Sequence, residues 1–394
     1  MHRAYKFLLR PTLKQVAALA ACLEDHRELY NAALEERREA WSRAKSTIRY
    51  FDQSKQMKDI RAADPDGQSR WSAKSQELTL RRLQRAFDAF FLRVKASLAP
   101  GFPRFKGRGW FNSVTWEDGD GARWNSTPHD PTMRVRLQGI GHVRVHQHRG
   151  VLGRVRTITC KREGSRWYVI LSCDNVPTEP LPATGAVAGI DLGVASLVTT
   201  SDGRHLENPR HLASSAQQVA AAQKALARKK QGSKRRQLAV ARVSALHAKV
   251  QRGRRDSAHK AALDLTRRYD VIVCEALQIA NMTKRAAPRP DGTGGYLPNG
   301  SAAKSGLNRS ILDAGWGVFL TILTHKAESA GRELITVNPA NTSRTCARCG
   351  HCAKENRVTQ AQFRCTACGH EAHADINAAI NILRAGLALR EAAA

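Results

Sequence analysis

Acidic residues are scarce in this chain. Its 394 residues carry 34 Asp and Glu against 64 Lys and Arg, a formal net charge of +30 with a pI near 10.5. Such a deficit calls for a polyanionic partner, and nucleic acid is the first candidate. Long hydrophobic runs are missing too. Nothing approaches the roughly 20 apolar residues that a membrane span requires, so no membrane partner is expected. Cysteine is sparse outside one short stretch: of nine, five lie between Cys346 and Cys368 and four are scattered. That distribution excludes a disulfide framework and fits a reducing compartment. Leu19-Ala-Ala-Cys22 has the look of a lipoprotein cleavage site, but Val16, Leu19, Leu23, Tyr30 and Leu34 carry a helical period straight through it. The expectation is therefore no signal segment and a cytoplasmic protein. The length allows two to four domains.

The few acids that remain are placed tellingly. Val187 to Thr200, VAGIDLGVASLVTT, reads as a β-hairpin closed by Ser201-Asp202-Gly203. Strand alternation puts Ala188, Ile190, Leu192 and Val194 on one face and Gly189, Asp191 and Gly193 on the other. A carboxylate thus stands between two positions without side chains, where a large ligand could approach the backbone closely. Val271-Ile-Val-Cys-Glu-Ala-Leu277 is a second short strand, with Glu275 near its end. Asp375 opens DINAAINIL, where Ile376, Ala379, Ile380 and Leu383 repeat at helical spacing. Each acid alone has an ordinary structural role as an edge-strand, strand-end or N-cap residue. Together they suggest hard-cation chemistry, because clustered carboxylate oxygens are what Mg²⁺ prefers.

In chain order, a short strand at Ala4–Leu9 precedes Pro11 and a capping-box pattern at Thr12 to Gln15. Basic helices should then run to about Leu98, with a turn at Asp64-Pro-Asp-Gly67. Gly101-Phe-Pro-Arg-Phe-Lys-Gly-Arg-Gly109 interleaves aromatics with Arg104, Lys106 and Arg108, a composition suited to nucleic acid. From Trp110 to Asp174, runs such as Met133–Leu137, His142–His146, Arg156–Cys160 and Trp167–Leu171 alternate without helical period, which suggests a small β-barrel or sandwich. Val176 to Thr184, with three prolines, reads as a linker.

Lys224 to Lys260 holds thirteen Lys or Arg and one acid, Asp256. A freely solvated helix gains nothing from such self-repulsion. The segment therefore reads as a phosphate-facing helical hairpin broken at Gly232-Ser233, with Lys229, Lys230, Lys234, Arg235, Arg236, Arg254 and Arg255 as contacts. Arg285 to Ser305 is rich in Pro and Gly and reads as a loop, Ser310 to Ala330 as helix, and Glu333–Val337 as strand. Finally, Cys346-Ala-Arg-Cys349-Gly and Cys365-Thr-Ala-Cys368-Gly are two knuckles fifteen residues apart. Four thiolates on paired tight turns give the closed tetrahedral site that structural zinc prefers. The repeated Cys-x-x-Cys-Gly sets aside Cys352, His351 and His370 as ligands.

The ordered set of motifs resembles the TnpB family of RNA-guided nucleases of bacterial insertion sequences, relatives of the type V CRISPR effectors. It comprises YKFLLRPTLKQ with YNAAL, FPRFKGRG, GIDLGVASLVTTSDG, the Lys224–Lys260 block, VIVCEALQIANMTK, TSRTCARCG with FRCTACG, and DINAAINIL. One departure is Ala276, where the family more often has Asp; Glu275 itself is in place. The resemblance implies a multidomain α+β protein: a wedge β-barrel (1–10 and 99–182) interrupted by a helical recognition bundle (11–98), then an RNase H-like RuvC nuclease domain (183–340 and 372–394, with the basic hairpin at 209–268) split by a Cys₄ zinc ribbon (341–371). It implies Asp191, Glu275 and Asp375 as the catalytic triad holding two Mg²⁺, with Arg344 as a further contact to the scissile phosphate. The last knuckle cysteine, Cys368, stands seven residues before Asp375, so zinc-driven folding should help place that ligand. The implied activity is RNA-guided DNA cleavage beside a short flanking motif, by a bacterial cytoplasmic monomer carrying one guide RNA from the end of its element, on double-stranded target DNA. A nuclease-independent RNA-guided repressor on the same scaffold and a strand-transferring transposase are the competing readings.

Overall fold

Strand β1 (Arg3–Arg10) buries every second side chain, Tyr5, Phe7 and Leu9. That period-2 pattern marks a strand with one face on a core. Pro11 and Thr12 then end it. Thr12 Oγ1 accepts from Gln15 N at 3.3 Å and Gln15 Oε1 accepts from Thr12 N at 3.0 Å, so the expected capping box forms. Such a cap is worth about 1 kcal/mol, and it starts α1 (Leu13–Ala44). Two further helices follow, α2 (Tyr50–Ala63) and α3 (Ala73–Lys95). Six strands come next: β2 (Ser113–Asp118), β3 (Gly121–Trp124), β4 (Arg134–Leu137), β5 (Gly141–His146), β6 (Arg154–Glu163) and β7 (Arg166–Asp174). With β1 they close a barrel in the order β1-β5-β4-β3-β2-β6-β7.

The computed structural model describes residues 1–125 and 133–393. It divides into two compact units, Met1–Pro177 and Thr178–Ala394. The barrel range expected from the sequence runs through 126–132, which lie outside the described residues. Within the first unit the helices and the barrel are not separate bodies. Leu19, Leu34, Leu80 and Leu83 from the helices share one core with Tyr5, Phe7, Trp116 and Ile158 from the barrel.

The second unit is built on a five-stranded sheet in the order β10-β9-β8-β11-β12. The strands are β8 (Val187–Asp191), β9 (Ser196–Thr200) and β10 (His205–Glu207), then α4 (His211–Ala227), α5 (Lys234–Arg268) and β11 (Val271–Glu275). After these come α6 (Ile279–Met282), α7 (Ser301–Ala314), α8 (Trp316–Ala330) and β12 (Glu333–Val337). The short pair β13 (Gln362–Arg364) and β14 (Glu371–His373) leads into α9 (Ala374–Ala393). β8 and β9 form the expected antiparallel hairpin, whereas β8, β11 and β12 run parallel.

Two details differ from the sequence reading. The helix expected at 310–330 begins at Ser301 and is divided at Gly315, whose φ of 73° ends one helix and opens the next. Gly189 serves a helix rather than a ligand. A Cβ there would run into the Ala379 carbonyl oxygen and the backbone of Leu383, so the missing side chain lets α9 lie directly on β8.

One buried polar group in the first unit has a pH consequence. His26 is fully buried on α1; its Nδ1 lies 2.8 Å from the Cys22 carbonyl oxygen and its Nε2 2.9 Å from Ser75 Oγ. Burial holds its pKa down to about 4, from an ordinary 6.5. The native state therefore favours the neutral ring, and this contribution is complete above pH 6.5 and lost as pH falls toward 4. The slope approaches about 1.4 kcal/mol per pH unit. Urea unfolding midpoints should drop across that window in the wild-type chain and drop less in His26→Gln.

Candidate active site

Alternation decides which acids can meet. On β11, Ile272 and Cys274 point into the core beneath α5 and α8, while Val271 and Val273 point to the face covered by α9. Glu275 has the parity of Val273. On β8, Ala188 and Ile190 share the α5 and α8 core, so Asp191 has the parity of Gly189 and faces α9. The parallel register pairs Cys274 with Ile190, and the next residue on each strand is the acid. Asp191 and Glu275 thus end adjacent strands on the same face, and Asp375 joins them from the first turn of α9. Asp375 is not the N-cap; its N–H donates to His373 Nδ1 at 3.3 Å.

The electrostatics record this convergence. Burial, then the carboxylates of Asp375 and Glu275, push Asp191 up from 3.8 to about 7, with Arg357 working in the opposite direction. Burial also raises Glu275, against a hydrogen bond from Thr342; Thr342 Oγ1 donates to Glu275 Oε1 at 2.5 Å. Asp191, repelled by the carboxylates of Asp375 and Glu275 at the mouth of the sheet, makes with them an oxygen-only donor set suited to a hard divalent cation.

Arg357 and Thr342 had no signal in the sequence. Arg357 Nη2 pairs with Asp375 Oδ1 at 3.1 Å from a ribbon loop between the two knuckles, a position that follows no spacing rule. Arg344 is exposed, and its backbone rather than its side chain is engaged: Asn356 Nδ2 donates to its carbonyl at 2.9 Å.

The four predicted cysteines gather. Their Sγ atoms all lie within 4.8 Å of one another, with 3.8 Å between Cys346 and Cys368 and 3.5 Å between Cys349 and Cys365. A tetrahedron with Zn–S bonds of about 2.3 Å has edges of about 3.8 Å, so the thiols fit zinc. Against the upward push of burial, the backbone N–H groups of Cys368 and Ala367 hold Cys365 below the usual thiol range, which favours a thiolate. Cys352 lies outside this set and is exposed.

The predicted basic contacts divide into two groups. Lys229, Lys230, Lys234, Arg235 and Arg255 are exposed on α4, α5 and their connection, and Arg104 and Arg108 on the loop before β2. Arg108 also pairs with Glu24 at 2.9 Å, and Lys106 is half-buried over the Tyr30 ring. Two others hold the scaffold. Arg236 Nη1 donates to the carbonyls of Leu226 and Lys229, closing the end of α4. Arg254 donates through Nε and Nη2 to the buried Asp313, at 3.0 and 2.8 Å; Asp313 also accepts from Leu212 N at the start of α4.

Comparison with known proteins places this geometry in a class. A family model described as a probable transposase matches residues 170–286, a Cas12f1-like TNB domain matches 316–382, and a helix-turn-helix domain matches 1–46. In this chain residues 1–46 contain β1 and the single helix α1. An Escherichia coli K12 protein named "Putative RNA-guided DNA endonuclease InsQ" is 33% identical, over 98% of this chain and 93% of that one. A Streptomyces pristinaespiralis protein named "Putative RNA-guided DNA endonuclease" is 30% identical over 98% and 90%. The chain belongs to this transposon-associated family, the TnpB family. The solved structure of the mini-RNA-guided endonuclease CRISPR-Cas_phi3 shares the fold, with a TM-score of 0.50 at 12% identity over 98% of this chain and 92% of that one.

Replacing Cys365 by Ser should release close to one zinc per chain, measured by elemental analysis. The same change should loosen the residues ahead of Asp375, because structural zinc supplies folding energy directly. Full zinc retention would move the fourth ligand to Cys352 or a histidine.

Proposed function

We propose that this protein is an RNA-guided DNA endonuclease that hydrolyses phosphodiester bonds at Asp191, Glu275 and Asp375 in a Mg²⁺-dependent reaction. The observation that carries the reading is the placement of Asp191 and Glu275 at the ends of adjacent parallel strands, with Asp375 beside them and Asp191 pushed up by both neighbours. Two Mg²⁺ ions, when bound, would supply activation of the attacking water and stabilisation of the leaving 3′ oxygen. The chain's own groups do the rest. The three carboxylates hold and space the ions, Thr342 fixes the rotamer of Glu275, and Arg357 orients Asp375. Arg344, exposed ahead of the first knuckle, is assigned to the DNA phosphates. Presence of all three acids favours cleavage over a binding-only repressor.

In this reading residues 1–10 and 99–182 are the wedge, 11–98 the recognition bundle, 183–340 and 372–394 the RuvC nuclease domain, and 341–371 the zinc ribbon. The +30 charge, the exposed cations of α4 and α5 and the aromatic-basic loop at 101–109 grip a guide RNA, and the guide–target duplex, by backbone phosphates. Binding of that kind is steeply salt-dependent and leaves sequence choice to base pairing. Arg236 and Arg254 serve it indirectly, by shaping the hairpin. The protein acts as a monomer with one RNA in the bacterial cytoplasm, where its ribbon thiolates stay reduced.

The protein purified from its own locus should carry RNA transcribed from the element end. Changing the 3′ end of that RNA should move cleavage to a matching DNA beside the same flanking motif. Asp191→Ala should abolish cutting and leave DNA binding nearly intact. Cutting that persists at the old site, or without RNA, would favour the transposase reading; cutting by Asp191→Ala would remove Asp191 from the site.

A further inference from the structure

The DINAAINIL helix carries a second stripe that the apolar pattern does not explain. Asn377, Asn381 and Arg384 follow one another at intervals of four and three, on one side of α9. Asn377 is buried and Asn381 half-buried, while Arg384 is exposed at the end of the stripe. Asn377 is fully buried: its Oδ1 accepts from Ala347 N at 2.9 Å and its Nδ2 donates to the Thr345 carbonyl at 2.8 Å. Ala347 lies between Cys346 and Cys349, and Thr345 immediately precedes Cys346. Both amide atoms of Asn377 are therefore spent on the backbone of the first zinc knuckle. Asn381 Nδ2 donates to the carbonyls of Thr345 and Thr342, at 2.7 and 2.9 Å. Arg384 adds a bond to the Ala347 carbonyl. Thr342, held by Asn381 through its carbonyl, donates its hydroxyl to Glu275.

We infer that Asn377 and Asn381 are positioning residues that register the zinc knuckle against the acidic centre, so that zinc in the ribbon and divalent ions at Asp191, Glu275 and Asp375 bind cooperatively. The chain of contacts is continuous and short. From the knuckle backbone it runs through Asn377 to the helix turn bearing Asp375, and through Asn381 and Thr342 to Glu275. The sheet fixes the backbones of Asp191 and Glu275, so the knuckle reaches Glu275 only through the Thr342 hydroxyl and reaches Asp375 through α9. A shift of the knuckle moves Asp375, and the hydroxyl that orients Glu275, relative to Asp191, which changes the cage that hard cations see. Removing a hydrogen-bond partner of a metal ligand usually alters metal affinity by about 10- to 100-fold, and Asn381 acts on such a partner of Glu275, Thr342. By linkage, ions at the acids must in turn hold zinc more tightly. This inference rests on the proposed divalent site.

The test uses the full chain with its bound RNA. Asn377→Leu keeps the branching and the number of heavy atoms and removes both hydrogen bonds. Zinc should stay near one per chain, since the four thiols are untouched. The Mg²⁺ concentration for half-maximal single-turnover cleavage should rise about tenfold or more, with the rate recovering at high Mg²⁺. Mn²⁺ binding followed by electron paramagnetic resonance should weaken in parallel. In the wild-type protein Mn²⁺ should slow zinc loss to a chelator, and in Asn377→Leu it should not. A packing role predicts a smaller active fraction with an unchanged half-saturating Mg²⁺ concentration, and that result would overturn the inference. If Asn377→Leu folds poorly, Asn381→Ala removes only the Thr342 and Thr345 bonds; an unshifted metal dependence there overturns it equally. Asp191→Asn separates the two levels. If it binds Mn²⁺ like the wild type, the divalent-site reading falls and the coupling with it.

Discussion

The crowding of Asp191 by the carboxylates of Asp375 and Glu275 is the constraint around which the second unit is arranged. Unit charges a few ångströms apart in a partly buried site repel by several kcal/mol, and a chain would ordinarily turn such groups outward. Here parallel pairing of β8 with β11 fixes two of them side by side, and the contact of α9 with Gly189 brings the third close. At Gly386 the helix meets β11 so closely that a Cβ would overlap the Val273 side chain. Small residues on both elements let the helix approach, and the core beneath α5 and α8 keeps the sheet from yielding. The upward shift of Asp191 is the visible cost. A divalent cation held by the three acids, as proposed, would offset that cost.

The ribbon answers a different shortage. Its own apolar core is confined to Cys346, Phe363, Cys365 and Ala374, far too little to order thirty residues against chain entropy. Zinc held by the four thiols would supply the missing free energy, and the buried Asn377 and Asn356 spend their amides on the knuckle backbones. That order is then carried into α9.

Much of this was legible in the sequence because it is written in short-range patterns. Alternating side chains located the barrel strands and the β8–β9 hairpin, Thr12 and Gln15 announced the start of α1, and the paired Cys-x-x-Cys-Gly located the ribbon. What escaped depends on contacts between distant residues. Arg357 meets Asp375 across eighteen positions and Thr342 meets Glu275 across sixty-seven; neither separation has a period. The three-residue strands β10, β13 and β14 are too short to show alternation. The break at Gly315 looked like an ordinary glycine within a helical pattern. Gly189 was read correctly as a place of close approach, but its neighbour proved to be α9. Lopsided charge correctly marked the α4–α5 hairpin as unusual, yet it could not separate the exposed Lys229 and Arg235 from Arg236 and Arg254, which the fold uses internally.

The proposed function requires Asp191, Glu275 and Asp375 to form one hard-cation site. Anomalous diffraction from crystals of the RNA-bound protein soaked in Mn²⁺ tests it most directly. Manganese peaks coordinated by all three carboxylates are expected, separate from a zinc peak among the four cysteines. Manganese bound elsewhere, or held by fewer than two of these acids, would contradict it.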